Sequence, residues 1–535
     1  MATHRFFQNR VVEFAAEVQD HLKVFLPTNP DSKTILNEFA LMIPAFIALT
    51  IGAFVQSQTF LNHDVAWVLN SSERLLDGGT FGTDIVAANP PLIWWLSALV
   101  AGLARLLDAD PVNTFRAVVT LLIAGMLFAF NLGLRSRVPA ISRLILFVFL
   151  ALLLTLGVHR DFGQREHLAV VLCLPWIITT MRRADGQTQN TIYAFLTGIG
   201  AGIGFAFKPH FLIVPVLVSI FTVFRRRSLR PILATENLAI FATGLAYVVA
   251  VWIFARPYLT EVVPMVSQVY WGFERPLSSV FSSQRIIIVF SFLAFTIAAL
   301  GRFHSAEFIP ALCSVGFLIA ALAQSKGYSY HFYPVLAFAL ISLSIYVLVT
   351  ERFSFKILAT VLLAIGATFV SLRSTISLAA RSAQSAYGQH AACIVQLVEA
   401  NVSANGGFMA LSTHPFPGFP VANYSKREWV AATNSRLYLP AIARIRALKE
   451  KTTEERDILA LAERLERTAA IKDMSRHPEL VLVDARQFRH AINGLTIDFI
   501  DFYSEDENFT ELWASYHEIS SCGRGIRAFK LSQGT

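Results

Sequence analysis

The chain has few charged residues and no segment typical of a cleaved signal peptide. Asp, Glu, Lys and Arg make up only 15% of its 535 residues, whereas 54% are hydrophobic and 44 are Phe. A soluble protein of this size could not bury so much apolar surface, so the composition indicates a polytopic membrane protein. Residues 1–38 contain no apolar core segment, which predicts that the first membrane helix directs insertion.

Two further absences restrict the function. Residues 376–535 contain no Gly-rich nucleotide loop, no catalytic triad and no metal-ligand spacing. The net charge of +8 could suggest nucleic-acid binding, but Lys and Arg are concentrated in short segments between apolar runs. That distribution is the one that orients membrane helices, so no nucleic-acid partner is expected.

Apolar runs of membrane-spanning length, about 20 residues each, recur between Phe39 and Arg373. The predicted spans are 39–59, 113–134, 144–158, 168–181, 191–207, 211–224, 237–255, 285–301, 307–324, 334–350 and 356–373. We therefore predict a cytoplasmic segment at 1–38, an all-α membrane domain of about eleven transmembrane helices at 39–375, and a soluble α/β domain at 376–535.

A further apolar run at 91–107 decides the topology. The positive-inside rule requires the basic clusters between the spans to lie in the cytoplasm. If the run at 91–107 crossed the membrane, some of these clusters would lie outside instead. Asn89 as a helix N-cap, Pro91 in the first turn, and Trp94 and Trp95 favour a helix in the membrane interface. A plain transmembrane helix remains the alternative. The interfacial reading places 60–112, 159–167, 208–210, 256–284, 325–333 and the region after 374 outside.

The predicted outer loops share a polar composition. They contain the segments His159–His167, Lys208-Pro209-His210 and Lys326–Pro334. Ionisable groups at a membrane edge are costly unless they pair with each other or bind a charged ligand. Arg and Lys side chains on the outer face run against the positive-inside trend, so membrane insertion does not explain them. A lipid phosphate or pyrophosphate, bound through charge-assisted hydrogen bonds, is the preferred explanation. The candidate phosphate-binding residues are Arg160, Arg165, Lys208, His210, Lys326, Tyr330 and His331.

A second explanation of these loops needs no ligand. In it, Arg160/Asp161 and Arg165/Glu166 form local salt bridges. The side chains of Lys208 and Lys326 then extend to the membrane interface to keep their ammonium groups in water.

Asp64 lies just after the first predicted span, within Asn62-His63-Asp64. An ionised Asp could act as a general base that takes a proton from an acceptor hydroxyl. Alternatively, Asp64 could be the N-cap of a helix that begins at Val65. The two roles can hold at once.

The C-terminal region has the pattern of a small α/β domain. Strands are predicted at 408–411 and 480–484 and a helix over 440–471, and acceptor recognition or shielding of the active site is the expected role. Cys173 and Cys313 fall within predicted spans. Cys393 and Cys522 both fall in the outer domain, where an oxidising compartment would permit a disulfide.

These residues resemble those of the GT-C-type membrane glycosyltransferases that use polyprenyl-phosphate sugars, including protein mannosyltransferases and aminoarabinose transferases. The resemblance rests on Asp64, on Leu75–Gly78 and Asn89–Leu92 with interfacial helices in the first outer loop, and on the charged second outer loop. It implies that Asp64 is the base, that Asp161 or Glu166 is a further acid, and that Arg and Lys hold the donor phosphate. Many members carry an Asp-Glu pair where this chain has His63-Asp64-Val65, so we expect no metal and no cofactor.

The resemblance also implies the reaction. A sugar would move from a polyprenyl-phosphate donor to a hydroxyl of a glycan, lipid or protein acceptor, with inversion, in cell-envelope synthesis. The expected location is a bacterial inner membrane, with the active site and the C-terminal domain facing the periplasm. Two alternatives remain: an O-antigen ligase or polymerase acting on lipid pyrophosphate glycans, and a lipid or solute transporter or flippase. A transporter predicts mid-membrane polar sites and internal repeats, neither of which is evident.

Overall fold

The structure, a computed structural model, describes residues 32–281, 305–349, 385–492 and 497–532, together with 289, 290, 293, 296, 297 and 495. Six helices in these ranges are long and apolar enough to cross a membrane, as expected of the predicted multi-pass protein. They are Asn37–Ser57, Pro111–Leu134, Pro209–Arg226, Thr235–Phe254, Ala306–Ala323 and Ser329–Tyr346. The predicted span 356–373 and most of 285–301 lie outside the described residues.

The chain forms two compact units. The first, called the helical unit, draws on Met1–Gln56, Ala117–Val248 and Leu277–Ile376. The second, called the α/β unit, draws on Ser57–Arg116, Val249–Pro276 and Ser377–Thr535. The first outer segment of the sequence therefore belongs to the same unit as the C-terminal region.

The helices of the membrane region are mainly apolar and pack closely where small residues meet. They are Ser32–Ser57, Pro111–Leu134, Ala140–Thr155, Arg165–Ala184, Thr191–Ala206, Ile213–Arg226, Thr235–Phe254, Ile309–Ala323 and Tyr333–Val349. At Gly198 a Cβ atom would lie 2.5 Å from the carbonyl oxygen of Glu236. Glycine is therefore required at this crossing, as is common between membrane helices.

Three of the predicted basic clusters meet at one end of the helical unit. Arg137 and Arg225 both form ion pairs with Asp185, and the Arg225 Nη2 to Asp185 Oδ1 distance is 2.6 Å. Arg182 Nη1 also donates to Ser136 Oγ at 3.2 Å. The connections at 135–137, 182–185 and 225 thus lie on the same side, as their predicted common orientation requires.

The α/β unit is built on a five-stranded sheet with the order β2-β1-β3-β5-β4. The strands are β1 Gly407–Leu411, β2 Glu428–Trp429, β3 Leu480–Asp484, β4 Tyr516–Ile519 and β5 Ile526–Leu531. β1 is parallel to β2 and β3, whereas β5 is antiparallel to β3 and β4. β3 is buried along its whole length, as expected of the apolar Leu-Val-Leu-Val run for which a strand was predicted. The sheet confirms the predicted α/β fold of the C-terminal region.

The helices of this unit come from all three of its chain segments. They are His63–Leu76, Leu92–Leu106, Val263–Val269, Ala386–Asn401, Val421–Ser425, Leu439–Arg446, Thr453–Met474, Phe499–Ser504 and Glu507–Trp513. The core around Met409, Val481 and Ile442 also takes in Val269, with Trp271 packed against it. The segment 249–276 therefore contributes to the same hydrophobic core as the sheet.

The helix Leu92–Leu106 corresponds to the run at 91–107. It has 15 residues, about the length of the apolar helices Ala140–Thr155 and Thr191–Ala206. Its placement in the membrane interface therefore stays a prediction. Its N-cap is Pro91, without a side-chain cap bond, so the prediction that Asn89 caps it is wrong. The helix begins one residue after Pro91 because proline fixes a helical φ there and lacks only a donor that the first turn does not use.

Arg74 fixes the first outer segment to the sheet. Its Nη1 donates to the carbonyl oxygens of Asp84 at 3.0 Å and Ala431 at 2.9 Å, and its Nη2 donates to the carbonyl of Trp429. A backbone bond of 2.8 Å from Val86 N–H to the Ala432 carbonyl lies beside them. Arg74 thus satisfies three carbonyl groups that hold the 78–91 loop in place.

Replacing Arg74 by Met should leave these carbonyl groups without their charged donor. Because such bonds contribute about 1.5–3 kcal/mol each when charged, we expect the melting temperature to fall and the 78–91 loop to become sensitive to protease. Limited proteolysis followed by mass spectrometry measures this. Arg105→Met is the control, because the Arg105 side chain is 44% exposed and pairs with Asp77 at the surface. Equal protection in both variants would contradict the assignment.

Cys393 and Cys522 form a disulfide with a Cα–Cα distance of 5.9 Å, as the sequence allowed. The bond closes a loop over a sequence separation of 129 residues. Chain-entropy arguments give such a bond a stabilisation of up to about 5 kcal/mol. We therefore expect Cys393→Ser/Cys522→Ser protein, or reduced wild type, to melt several degrees lower. Differential scanning fluorimetry with non-reducing mass spectrometry tests this, and an unchanged melting temperature in the verified absence of the bond would contradict it.

Candidate functional site

Four polar side chains meet in the interior of the helical unit, each at the end of a helix. Glu166 is the second residue of Arg165–Ala184, and Lys208 directly precedes the short helix Pro209–Leu212. Gln324 directly follows Ile309–Ala323, and His331 lies in the short helix Ser329–Phe332. We call Glu166, Lys208, Gln324 and His331 the Glu166 cluster.

The Lys208 ammonium group is the centre of this cluster. Its Nζ lies 2.6 Å from Glu166 Oε1, 2.8 Å from Gln324 Oε1 and 3.3 Å from His331 Nε2. Lysine can only donate, so His331 Nε2 accepts and its Nδ1 carries the proton of the neutral ring. This tautomer is assigned from the partners of the ring. Lys208, Glu166 and His331 are only 6%, 1% and 3% exposed, so the ion pair is shielded from water.

Several polar atoms around the cluster are buried and have no hydrogen-bond partner within the described part of the chain. They include Arg165 Nη1, His331 Nδ1 and Glu166 Oε2. The charges of Lys208, Lys326 and Arg165 all act on the His331 ring. Buried polar atoms are nearly always paired, and an exception requires an explanation. Two unpartnered donors and a buried ammonium group suit an anion such as a phosphate.

The outer-loop residues were predicted either to bind a lipid phosphate or to form local salt bridges and extend to the interface. The structure tests the second interpretation for Glu166 and Lys208. Glu166 pairs with Lys208 rather than with its neighbour Arg165, and Lys208 is buried rather than extended to the interface, so both of these alternative readings are wrong. The predicted local salt bridge between Arg160 and Asp161 is present, with 3.6 Å between Arg160 Nε and Asp161 Oδ1.

Three more of the predicted phosphate ligands, Tyr330, His210 and Lys326, lie near the Glu166 cluster. The Tyr330 ring centroid lies 5.6 Å from Lys208 Nζ. His210 is exposed and Lys326 is partly exposed. Gln324 was not predicted as a site residue. Its position two residues before the candidate Lys326, at the same helix end, could have indicated it.

Asp64 lies in the α/β unit, within the helix His63–Leu76. The N-cap of this helix is Asn62, whose side-chain oxygen accepts from the Asp64 N–H at 2.8 Å. The predicted capping role of Asp64 is therefore wrong, because Asn is as good a cap and the helix begins earlier than predicted. Asp64 instead occupies the first turn, where the helix dipole favours a carboxylate.

Three histidines from distant parts of the sequence form a row that begins at His63, the neighbour of Asp64. His63 Nε2 lies 3.8 Å from Asp64 Oδ1. The His63 and His414 ring centroids are 4.4 Å apart, and those of His414 and His490 are 5.3 Å apart. We call His63, His414 and His490 the imidazole cluster. The ring of Phe273 continues the row, at 5.9 Å from His490.

The sheet explains why His414 and His490 meet. β1 ends at Leu411 and β3 ends at Asp484, and the two strands are parallel neighbours, so the loops after them leave the same edge. Thr413 Oγ1 donates to the His490 carbonyl at 2.6 Å and joins these loops. The carboxyl edge of parallel strands is where open α/β sheets bind ligands. This edge was the signal that sequence analysis missed.

The ionisation of the cluster is partly determined by burial. Burial lowers the pKa of His490 to about 4, and the nearby His63 and Arg275 act in the same direction, while Asp64 opposes them. His490 is therefore neutral at pH 7. The Phe416 N–H donates to His414 Nδ1 at 3.0 Å, which leaves Nε2 of the neutral ring as the donor. Within the described ranges, no group of three or more His, Cys, Asp and Glu side chains could hold a metal ion.

The fold is similar to that of a solved membrane protein. The crystal structure of ArnT from Cupriavidus metallidurans bound to undecaprenyl phosphate matches with a TM-score of 0.51 and 10% sequence identity, over 93% of this chain and 98% of that one. At this identity the likeness is one of fold, and it confirms the predicted GT-C-like fold. No protein-family profile and no curated protein sequence matches the chain.

Proposed function

We propose that the protein is a membrane glycosyltransferase that moves a sugar from a polyprenyl-phosphate donor to an acceptor hydroxyl. The observation that carries the proposal is the Glu166 cluster, in which a buried ammonium group lies near buried donors that have no hydrogen-bond partner among the described residues. Support comes from the fold, since the structurally similar ArnT is bound to undecaprenyl phosphate. A phosphate would satisfy Arg165 Nη1 and His331 Nδ1, which no other described residue accepts from.

On the donor side, the phosphate oxygens would accept from Lys208 Nζ, Arg165 Nη1 and His331 Nδ1. Negative charge develops on the phosphate as its bond to the anomeric carbon breaks, and preorganised donors in a dry site stabilise such charge most effectively. Glu166 would hold Lys208 in place. Asp161 keeps its predicted role as a further acid, and Arg160, His210, Lys326 and Tyr330 would contact the donor at the edge of the site.

On the acceptor side, Asp64 would act as the general base. It accepts the proton of the acceptor hydroxyl as the oxygen forms a bond to the anomeric carbon and the phosphate leaves with the electron pair of the broken bond. Attack on the face opposite to the leaving group inverts the anomeric configuration. Asp64 would take the proton, and the donors around Lys208 would stabilise the charge on the leaving phosphate. The proposal therefore needs no metal and no cofactor.

The proposed location is a bacterial inner membrane, with the α/β unit in the periplasm. The disulfide Cys393–Cys522 supports this orientation, because disulfides persist in oxidising compartments such as the periplasm. Arg137, Arg182 and Arg225 would then mark the cytoplasmic end of the helical unit.

The proposal is tested with the full chain in lipid nanodiscs and a panel of undecaprenyl-phosphate sugars. Thermal shift reports binding, and release of undecaprenyl phosphate reports turnover. We expect one donor to bind and to be consumed, at the same rate with and without EDTA. Consumption of a lipid pyrophosphate glycan instead would favour the ligase alternative. Binding of the lipids without turnover in the presence of envelope glycolipids would favour a transporter.

A further inference from the structure

We propose that His414 and His490 of the C-terminal region form, with His63, a binding site for a sugar ring whose hydroxyl faces Asp64. This inference rests on the proposed function and deepens it, because it assigns the acceptor to a class, namely a glycan. It also gives the C-terminal region a part in substrate recognition that the transferase chemistry does not itself require.

The first argument is the origin of the residues. The imidazole cluster combines a helix start at His63, the loop after β1 and the loop after β3. Core packing does not explain three histidines here, since all three rings and Asp64 are partly exposed. They therefore line a surface that solvent and a ligand can reach.

The second argument is the chemistry of the surface. A sugar ring presents apolar C–H faces and a rim of hydroxyl groups. The neighbouring rings of His63, His414 and His490 are inclined to each other by 57° and 78°, so each imidazole presents its own face or edge to a ligand. The C–H groups of a sugar contact such rings through weak C–H interactions. Imidazole nitrogens both donate and accept, as hydroxyl groups do. A neutral His490 can play either part at pH 7, so it binds hydroxyls without requiring a charged ligand.

The third argument is the position of Asp64. His63 Nε2 lies 3.8 Å from Asp64 Oδ1, so a ring held against the cluster brings its hydroxyls to the carboxylate. A peptide acceptor would present one Ser or Thr hydroxyl and a row of amides, and the cluster offers aromatic faces in place of a backbone partner. The observations therefore favour a glycan, whether free or carried by a lipid.

The test uses the full chain without any donor lipid, so it does not depend on turnover. Saturation-transfer difference NMR measures binding of the methyl α-pyranosides of D-glucose, D-mannose and D-galactose, and of an N-acetylated Ser-Thr-Ser peptide. We expect at least one glycoside to bind wild type. His414→Ala and His490→Ala should each raise its dissociation constant at least fivefold. His414→Phe and His490→Phe keep a ring in place but lose the nitrogens, so they should also weaken binding in protein that melts like wild type.

The matched control is His517→Ala, because His517 is exposed on β4 outside the imidazole cluster and should bind like wild type. Equal glycoside binding by all variants, no glycoside binding by wild type, or binding of the peptide instead would overturn the inference. Glycoside binding that depends on His414 and His490 without turnover of any lipid donor would refute the transferase and leave the sugar site. Donor turnover with unchanged glycoside binding in the variants would refute the sugar site alone.

Discussion

Lys208→Met protein should lose both donor turnover and stability. The substitution removes the ammonium group that lies 2.6 Å from Glu166 Oε1 and leaves a carboxylate that is 1% exposed without its counter-charge. Breaking one partner of a buried ion pair typically costs about 3–5 kcal/mol. Removal of a preorganised donor at a site of developing charge lowers turnover by about 10²–10³-fold. Thermal melting and release of undecaprenyl phosphate measure the two effects.

A double variant separates the structural effect from the catalytic one. Lys208→Met/Glu166→Gln removes both charges of the pair, and replacing a whole buried pair by neutral groups is often neutral for stability. We expect its melting temperature to return towards that of wild type while turnover stays low. Recovery of both properties would contradict a phosphate-binding role for Lys208 and would make the Glu166 cluster purely structural.

The matched control for this series is Lys472→Met. Lys472 is an exposed residue in the last turn of the helix Thr453–Met474, so the same chemical change there removes no buried partner. It should melt and turn over donor like wild type. A loss in this variant equal to that of Lys208→Met would mean that the assay responds to surface charge.

Sequence analysis selected Glu166, Lys208 and His331 as candidate site residues, but it did not predict how they pair. Lys208 and His331 were recognisable because cations and imidazoles recur in predicted outer loops against the positive-inside trend. Along the chain, Glu166 lies 42 residues and His331 lies 123 residues from Lys208, and no local pattern encodes such contacts. Local reasoning therefore paired Glu166 with Arg165, its neighbour in sequence.

In the α/β unit, too, some features could be predicted from the sequence and others could not. β1 and β3 were predictable because they are buried apolar runs. β4 was not, because it has four residues, none of them fully buried, and edge strands carry little hydrophobic signal. Without the sheet order, nothing in the sequence brings His414 and His490 together. The cap at Asn62 was missed because Asn and Asp have equal capping propensity, and sequence alone does not choose between them.

Asp64→Asn should abolish sugar transfer and leave the donor bound. The amide has the shape of the carboxylate but cannot accept a proton at neutral pH. General base catalysis contributes about 10²–10⁴-fold to rates, so we expect a loss of that size in the release of undecaprenyl phosphate. Donor binding by thermal shift should be unchanged, since the phosphate is assigned to Lys208, Arg165 and His331.

Stability should also be nearly unchanged in Asp64→Asn, because Asn62 and not Asp64 caps the helix His63–Leu76. Asp108→Asn is the matched control: Asp108 is exposed and has a φ of 49°, a conformation that Asn adopts readily. Both variants should melt like wild type, and only Asp64→Asn should lose turnover. If Asp64→Asn keeps more than about a tenth of the rate, which is well above what loss of a general base allows, another group takes the proton and the role of Asp64 is positional.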